Sequence, residues 1–240
     1  MELIIPNWEA PKNVKAFSTT RMGGVSDGVY KGLNLGMHVE DDPVLVNRNR
    51  EILHDMAALP TAQVWLNQTH SDHVIVLKQP TTEVLDGDGA ITSVPKVICT
   101  VMTADCLPVL LTDTEGAKVA AVHAGWRGLA DGILENAVKN FTKPVIAWLG
   151  PAIGVSAFEV GQDVVDIFVS HSQQAQKAFL AKDNGKYLAD MNMLATQRLN
   201  YAGVKTVYRS NMCTFEDSEK FYSYRRDGVT GRQATFIWID

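Results

Sequence analysis

The sequence predicts a mixed α/β or α+β fold, and three observations carry that expectation. Short apolar, β-branched runs outnumber stretches with helical spacing. At least two connections between them read as hairpins, one of them the turn Asp113-Thr-Glu-Gly116. Strand and helix also fail to alternate strictly, as a doubly wound parallel sheet would require.

Taken in order, Ser18-Thr-Thr-Arg-Met-Gly-Gly-Val-Ser26 reads as a polar, glycine-containing loop. Asp42-Pro43 opens a helix, with Asp as N-cap and Pro at the first helical position. Leu45, Ile52, Leu53 and Met56 share its apolar face, with Arg48 on the shoulder and Arg50 pointing away. Strands are expected at 64–66, 74–78, 97–102, 107–111, 118–122, 145–149, 204–208 and 234–239. Helices are expected at 128–139, 163–168 and 188–199, the last ending before Gly203. No linker, repeat or charge run divides the chain, so one domain over 1–240 is expected.

Composition narrows the function classes. The 46% apolar and 20% charged residues suit a globular chain with a sizeable core. A net charge of −5 with scattered basic residues argues against a nucleic-acid partner. No run approaches the roughly 20 apolar residues of a membrane span. The first residues include Glu2, Trp8 and Glu9 and lack a basic segment followed by an apolar one, so a cytoplasmic location is expected. Three widely spaced cysteines fit a reducing compartment.

Three segments carry more polar and glycine residues at strand ends than folding requires: Trp65-Leu-Asn-Gln-Thr-His70-Ser-Asp-His73, Thr103-Ala-Asp105-Cys106-Leu-Pro108 and His123-Ala-Gly-Trp-Arg127-Gly128. If Thr114 and Glu115 form a two-residue loop, Cys106 falls opposite His123 on one face of a hairpin, with Cβ atoms about 4.5–5.5 Å apart. A three-residue loop would shift the register by one and separate the faces. One thiolate and two imidazoles make a three-ligand catalytic zinc set, with His70, Cys106 and His123 as ligands and His73 at most behind them. Each residue alone has a structural explanation; the convergence of three strand-end motifs does not. A structural zinc in a non-catalytic binding protein would normally have four ligands. Cys99, inside an apolar strand, and Cys213, opening a turn, read as structural.

Spacing excludes other chemistries. No two cysteines are three apart, as the nucleobase-deaminase signature needs. There is no Walker A sequence, and no Gly-x-Gly-x-x-Gly after a strand. Six histidines without a His-x-His pair cannot build a multicopper cluster.

The run His123-Ala-Gly-Trp-Arg-Gly, with Thr103-Ala-Asp-Cys-Leu-Pro and Asn67-Gln-Thr-His upstream, closely resembles the YfiH family, the bacterial peptidoglycan editing factor also described as a polyphenol oxidase or laccase-domain protein. Further matching motifs span nearly the whole chain: Thr20-Arg-Met-Gly-Gly-Val-Ser26, Asn47-Arg48, Trp148-Leu-Gly-Pro-Ala-Ile-Gly154, Phe158-Glu-Val-Gly161, Cys213-Thr, Phe221-Tyr-Ser-Tyr-Arg-Arg226 and Thr230-Gly-Arg-Gln233. One departure is Gly87-Asp88-Gly89, where the family often has Ala-Asp-Ala; the carboxylate is kept.

The resemblance implies a four-layer α-β-β-α arrangement related to cysteine hydrolases, and zinc held by His70, Cys106 and His123, with copper binding in vitro. It implies phosphorolysis of adenosine, inosine and methylthioadenosine, together with adenosine deamination, so the partners are a nucleoside and phosphate. The alternative it implies is removal of serine from a nucleotide-sugar peptide of cell-wall synthesis. For the phosphate, Arg48, Arg127 and Arg225 are the expected anion ligands, with Arg21 and Arg226 weaker candidates. Asp88 and Asp105 are candidates to orient the site, with capping of a turn the alternative for Asp105; Tyr222 and Tyr224 are candidates to flank a base or sugar, with packing as alternating strand residues the alternative. A metal-free alternative makes Cys106 the nucleophile and His123 its base.

Overall fold

A computed structural model describes residues 2–240, and its architecture follows from strands that are apolar on both faces. In Gln233–Ile239, Ala234, Phe236 and Trp238 face one way and Ile237 and Ile239 the other, and all are buried. Leu107–Asp113 behaves likewise: Leu107, Val109 and Leu111 enter one core and Leu110 another. A strand buried on both faces must lie in an inner layer.

Two sheets provide those inner layers. Five strands run in the order Leu3–Ile4, Val14–Thr19, Gln233–Ile239, Ile98–Thr103 and Gln63–Val64. Six run in the order Thr206–Arg209, Val145–Leu149, Leu107–Asp113, Val119–Ala124, Gly89–Thr92 and Val74–Leu77. Both mix parallel and antiparallel pairs. Val101 and Ile237 of the first sheet meet Leu110, Ala121 and Trp148 of the second in a shared core. The outer face of the five-stranded sheet packs Phe17, Phe236 and Trp238 against Leu53 of the helix Pro43–Met56. The outer face of the six-stranded sheet packs against Leu129, Leu134, Phe168 and Leu194 of four helices. Three cores thus separate four layers, α-β-β-α, within the expected mixed α/β class. Each large apolar side chain fully buried in them contributes about 1.5–3 kcal/mol.

Several boundaries differ from those the sequence suggests. The stretch 128–139 is two helices, Trp126–Asp131 and Ile133–Val138, broken at Gly132, whose φ of +101° leaves the helical region. The stretch 188–199 begins as the strand Tyr187–Ala189, and the helix Met191–Tyr201 starts only after Asp190, whose carboxylate accepts from Met193 N at 2.8 Å. Ser18 and Thr19 belong to the strand Val14–Thr19 rather than to the following loop.

The central hairpin differs most usefully. Asp113 N donates to Lys118 O, so the loop is 114–117, and Ala124 pairs with Leu107 and His123 with Pro108. Four loop residues move the register by two. Cys106 therefore lies level with Gly125, and His123 is its diagonal neighbour. An even shift preserves the face, so the two side chains still meet.

The helix Pro43–Met56 is rotated from its expected phase. Val46, Asn49 and Leu53 are buried, while Met56 is 65% exposed. The reason is polar. Asn49 accepts from Val25 N and donates to Ser26 Oγ, Gly32 O and Asn34 O, and Arg50 donates twice to Leu35 O while stacking on Trp65 at 3.8 Å. This helix fixes the irregular segment 20–41 against the sheet. Asn49→Ala is expected to lower stability by about 2–4 kcal/mol, because it removes four hydrogen bonds, one of them to the buried Asn34 O. Asp190→Ala should cost about 1 kcal/mol through its cap alone. Urea midpoints will test both, with the slope unchanged.

Candidate metal centre

The site grows from the end of the central hairpin. His123 sits in the strand Val119–Ala124, Cys106 immediately precedes Leu107–Asp113, and His70 rides a loop after Leu66–Asn67 with φ +64°. Their ligand atoms all lie within 4.8 Å of one another, the group of three or more metal-capable side chains among the described residues. Cys106 Sγ is 3.6 Å from His70 Nε2, and the two imidazole rings cross at 75° with centroids 4.9 Å apart.

Asp88 sets this geometry. It is fully buried, and its carboxylate accepts from His123 Nδ1 at 2.8 Å, from the backbone N–H groups of Thr69, His70 and Ser71, and from Ser71 Oγ. Burial would raise its pKa, but the hydrogen bonds from His123 and Ser71 outweigh that and hold it well below the usual carboxylate range. With Nδ1 committed to Asp88, the Nε2 of His123 is left for the centre, the carboxylate–histidine pairing common behind metal-binding imidazoles.

Cys106 and His123 are electrostatically coupled. Burial opposes charge on both, yet the imidazole pulls the thiol below its ordinary range, and the thiol together with Asp88 pushes the imidazole above its own. The coupling favours a thiolate beside an imidazolium over the neutral pair. Cys99, by contrast, is fully buried and its thiol is pushed up by burial, as an inert core residue should be.

The donor set fits a metal, and the backbone makes room for it. A Cβ on Gly125 would stand 2.5 Å from His70 Cδ2 and 3.2 Å from Cys106 Sγ. A Cβ on Gly128 would stand 2.6 Å from Ser71 O, so that glycine lets the helix Trp126–Asp131 approach the His70 loop.

A cavity of about 460 Å³ opens over the three donors. Of the other expected residues, Arg127, Arg225, Asp105 and Tyr224 line it. Asp105, at φ +93°, gives its carboxylate to Thr214 Oγ1, Ser223 Oγ and Arg225 N, so it clamps the turn before Cys106 rather than facing the donors. Arg48 is a correction: it is exposed, pairs with Glu51 at 2.9 Å and lies away from the cavity, because the helix phase turns Asn49 and Arg50 inward instead. His73 is also outside, exposed on its loop. Tyr222 is buried with its hydroxyl donating to Tyr30 O, and Arg21 and Arg226 are bound to backbone carbonyls elsewhere.

The cavity adds residues that the sequence reading lacks, chiefly His38, Phe158 and Arg232. Arg232 was within reach of the criterion that found the donors, since Thr230-Gly-Arg-Gln233 is another polar, glycine-containing strand end. His38 carries no comparable signal; only the anchoring of its segment by the helix Pro43–Met56 brings it here.

Asp88→Asn is expected to lower metal affinity about 10–100-fold. An amide has one oxygen to accept with and must present its NH2 group toward a donor. Gly125→Ala should deplete bound metal by displacing His70, and its melting temperature should fall no further than that of metal-stripped wild type, since His70 is exposed. Metal content of purified variants by mass spectrometry, alongside thermal melts, tests both. Full metal occupancy in either would contradict the geometry.

Comparison with known proteins agrees with this architecture. The family model described as multi-copper polyphenol oxidoreductase laccase matches residues 15–240. A Haemophilus influenzae protein named purine nucleoside phosphorylase is 52% identical over 245 residues, covering all of both chains. An Escherichia coli K12 protein named purine nucleoside phosphorylase YfiH is 46% identical over 241 residues, with 99% of each chain covered. Among solved structures, a Neisseria meningitidis protein superposes with a TM-score of 0.95 at 48% identity over all of both chains. YlmD from Geobacillus stearothermophilus superposes with a TM-score of 0.90 at 30% identity, over 98% and 99% of the two chains. A family model covering nearly the whole chain, with relatives at this identity along its full length, places the chain in the YfiH family of laccase-domain proteins.

Proposed function

We propose that residues 1–240 form one catalytic domain that cleaves purine nucleosides with inorganic phosphate, using zinc held by His70, Cys106 and His123. The observation that carries this is the convergence of those three donors in a compact cavity that arginines also line. Relatives that bear the name purine nucleoside phosphorylase, at 46–52% identity over the full chain, support the reading. A volume of about 460 Å³ lies within the range of small-molecule pockets and suits a nucleoside better than a nucleotide-sugar peptide, which needs a long groove. One thiolate and two imidazoles favour zinc over a copper cluster. Three unpaired cysteines fit a cytoplasmic location, and no helix among the described residues is long and apolar enough to cross a membrane.

In phosphorolysis a phosphate oxygen bonds to C1′ as the C–N bond to the base breaks. The electron pair leaves with the base, which takes up the proton that phosphate gives up. Phe158, Trp126 and Tyr224 offer flat faces for the base and sugar. Arg225, held by Ala157 O and Glu159 O against the Phe158 ring, keeps that wall rigid. Asp88 holds the His123 ring in place throughout, so the donors need no rearrangement during turnover. What zinc supplies when bound is Lewis acidity and a lowered pKa for water, which adenosine deamination also requires.

A second reading rests on the coupled Cys106–His123 pair: the imidazole lowers the thiol as in a cysteine hydrolase, and amide hydrolysis of a cell-wall precursor would use it. Purified zinc-loaded enzyme is expected to release free purine from adenosine or inosine only when phosphate is present, with ribose 1-phosphate as co-product. Cys106→Ala should abolish this and Cys99→Ala should not. Phenol oxidation should be weak and depend on added copper. Failure to release base, with cleavage of serine from the cell-wall precursor by the same enzyme, would reverse the ranking of the two readings.

A further inference from the structure

Where His38 and Arg232 line the cavity, within reach of the charge of Cys106, a charge imbalance remains, since no ion pair among the described residues meets the Arg232 guanidinium. Arg232 is half-buried and has no carboxylate partner within 4 Å among the described residues. Its Nη1 bonds Thr230 O and Gly231 O, which leaves the Nε and Nη2 edge without a protein acceptor. Cys106 and Asp105 act on its charge from a distance but neither accepts from that edge, so an anion is its expected complement. The placement of Arg232 is fixed: its N–H donates to Asn34 Oδ1 and its carbonyl accepts from Leu35 N, the segment that carries His38 into the cavity.

Neighbouring groups add to the imbalance. Burial, followed by the charges of Arg232 and Arg50, pushes the His38 imidazole below its ordinary range. Arg50 is bound to Leu35 O in the same segment. Asp105 is the one carboxylate lining the cavity, and it is fully engaged by Thr214, Ser223 and Arg225. Two buried hydroxyls without partners, Thr103 Oγ1 and Thr230 Oγ1, belong to the strand ends on either side. Thr103 also lines the cavity.

The other arginines are placed differently. Arg127 is exposed and stacks over Trp126 at 4.4 Å, and Arg225 is tied to the Phe158 wall. We propose that Arg232 and His38, with Thr103 beside them, form the subsite for the inorganic phosphate co-substrate, with the open edge of Arg232 gripping two of its oxygens. The proposal rests on the phosphorolysis reading for its ligand and on the geometry for its place. Arg127 and Arg225 then serve the nucleoside side.

The test separates the subsite from the reaction by using inorganic phosphate alone as well as turnover. Phosphate should raise the melting temperature of the zinc-loaded enzyme, and Arg232→Gln should abolish that shift. In turnover Arg232→Gln should raise KM for phosphate about tenfold or more, the loss of a charge-assisted bidentate contact, with KM for inosine within about twofold. Arg232→Lys keeps the charge and loses the fork, so it should fall between, and it guards against a folding defect in the glutamine variant. Arg48→Gln, outside the cavity, should match wild type throughout. A rise in the nucleoside KM alone, undiminished phosphate stabilisation of both Arg232 variants, or loss of phosphate binding in Arg127→Gln instead would overturn the assignment. If wild type binds phosphate through Arg232 yet releases no base, the phosphorolysis reading falls and the oxyanion subsite stands.

Discussion

The centre depends on one buried carboxylate. Asp88 has no lysine or arginine beside it; its charge is balanced by four hydrogen bonds to the His70 loop and one to the His123 ring. Its backbone is engaged too, donating to His73 O and accepting from His123 N. Desolvating an anion is expensive, and only so complete a set of donors makes the charge stable there. The same set holds the exposed His70 in a left-handed conformation that the loop would not keep by itself. Two of the three donors are therefore oriented by one side chain, and the stabilisation it gives is present above the ordinary carboxylate range and lost only as acid protonates it.

A second carboxylate does for Cys106 what Asp88 does for the histidines. Asp105 adopts a positive φ, a conformation costly for a residue with a side chain, and its carboxylate draws Thr214, Ser223 and the start of the short helix Tyr224–Asp227 onto the turn. Its carbonyl accepts from Ile153 N. The C-terminal segment is thereby coupled to the thiolate without touching it. Preorganisation of this kind suits a centre whose donors must not move as charge develops.

What could be read from the sequence follows from the range of the forces involved. Donors at strand ends stand out because polar residues and glycines there have no role in the ladder, and this marked His70, Cys106 and His123. The face shared by Cys106 and His123 survived an error of two in register, since side chains alternate with period two and only an odd shift would have separated them. The phase of Pro43–Met56 was not legible, because hydrophobic periodicity cannot show that Asn49 would be buried by bonds to carbonyls far away in the chain. Arg48 and Arg50 exchanged roles for that reason alone. Strands of two or three residues such as Glu159–Val160 and Phe179–Ala181 exist only through their pairing with Tyr187–Ala189, and carry no local signal.

The polarity of the cavity joins these anchors to function. The Cys106 thiol and the imidazoles held by Asp88 share one cavity with Arg232 and His38, whose segment is anchored by a helix with a polar inward face. Both groups are fixed by hydrogen bonds to distant segments, so their spacing is a property of the whole fold rather than of one loop. The chain carries a net charge of −5, which repels small anions in general. Inside the cavity that field is locally reversed, because the single lining carboxylate faces away and three arginines line the walls. An anion reaching Arg232 meets a half-buried guanidinium already oriented by its bonds to Thr230 O and Gly231 O, and pays little of the reorganisation that binding at a flexible surface requires. A metal-ligand set and a guanidinium with an open edge in one cavity suit the two reactants of the proposed phosphorolysis better than a simple hydrolase, which needs only water as its second substrate.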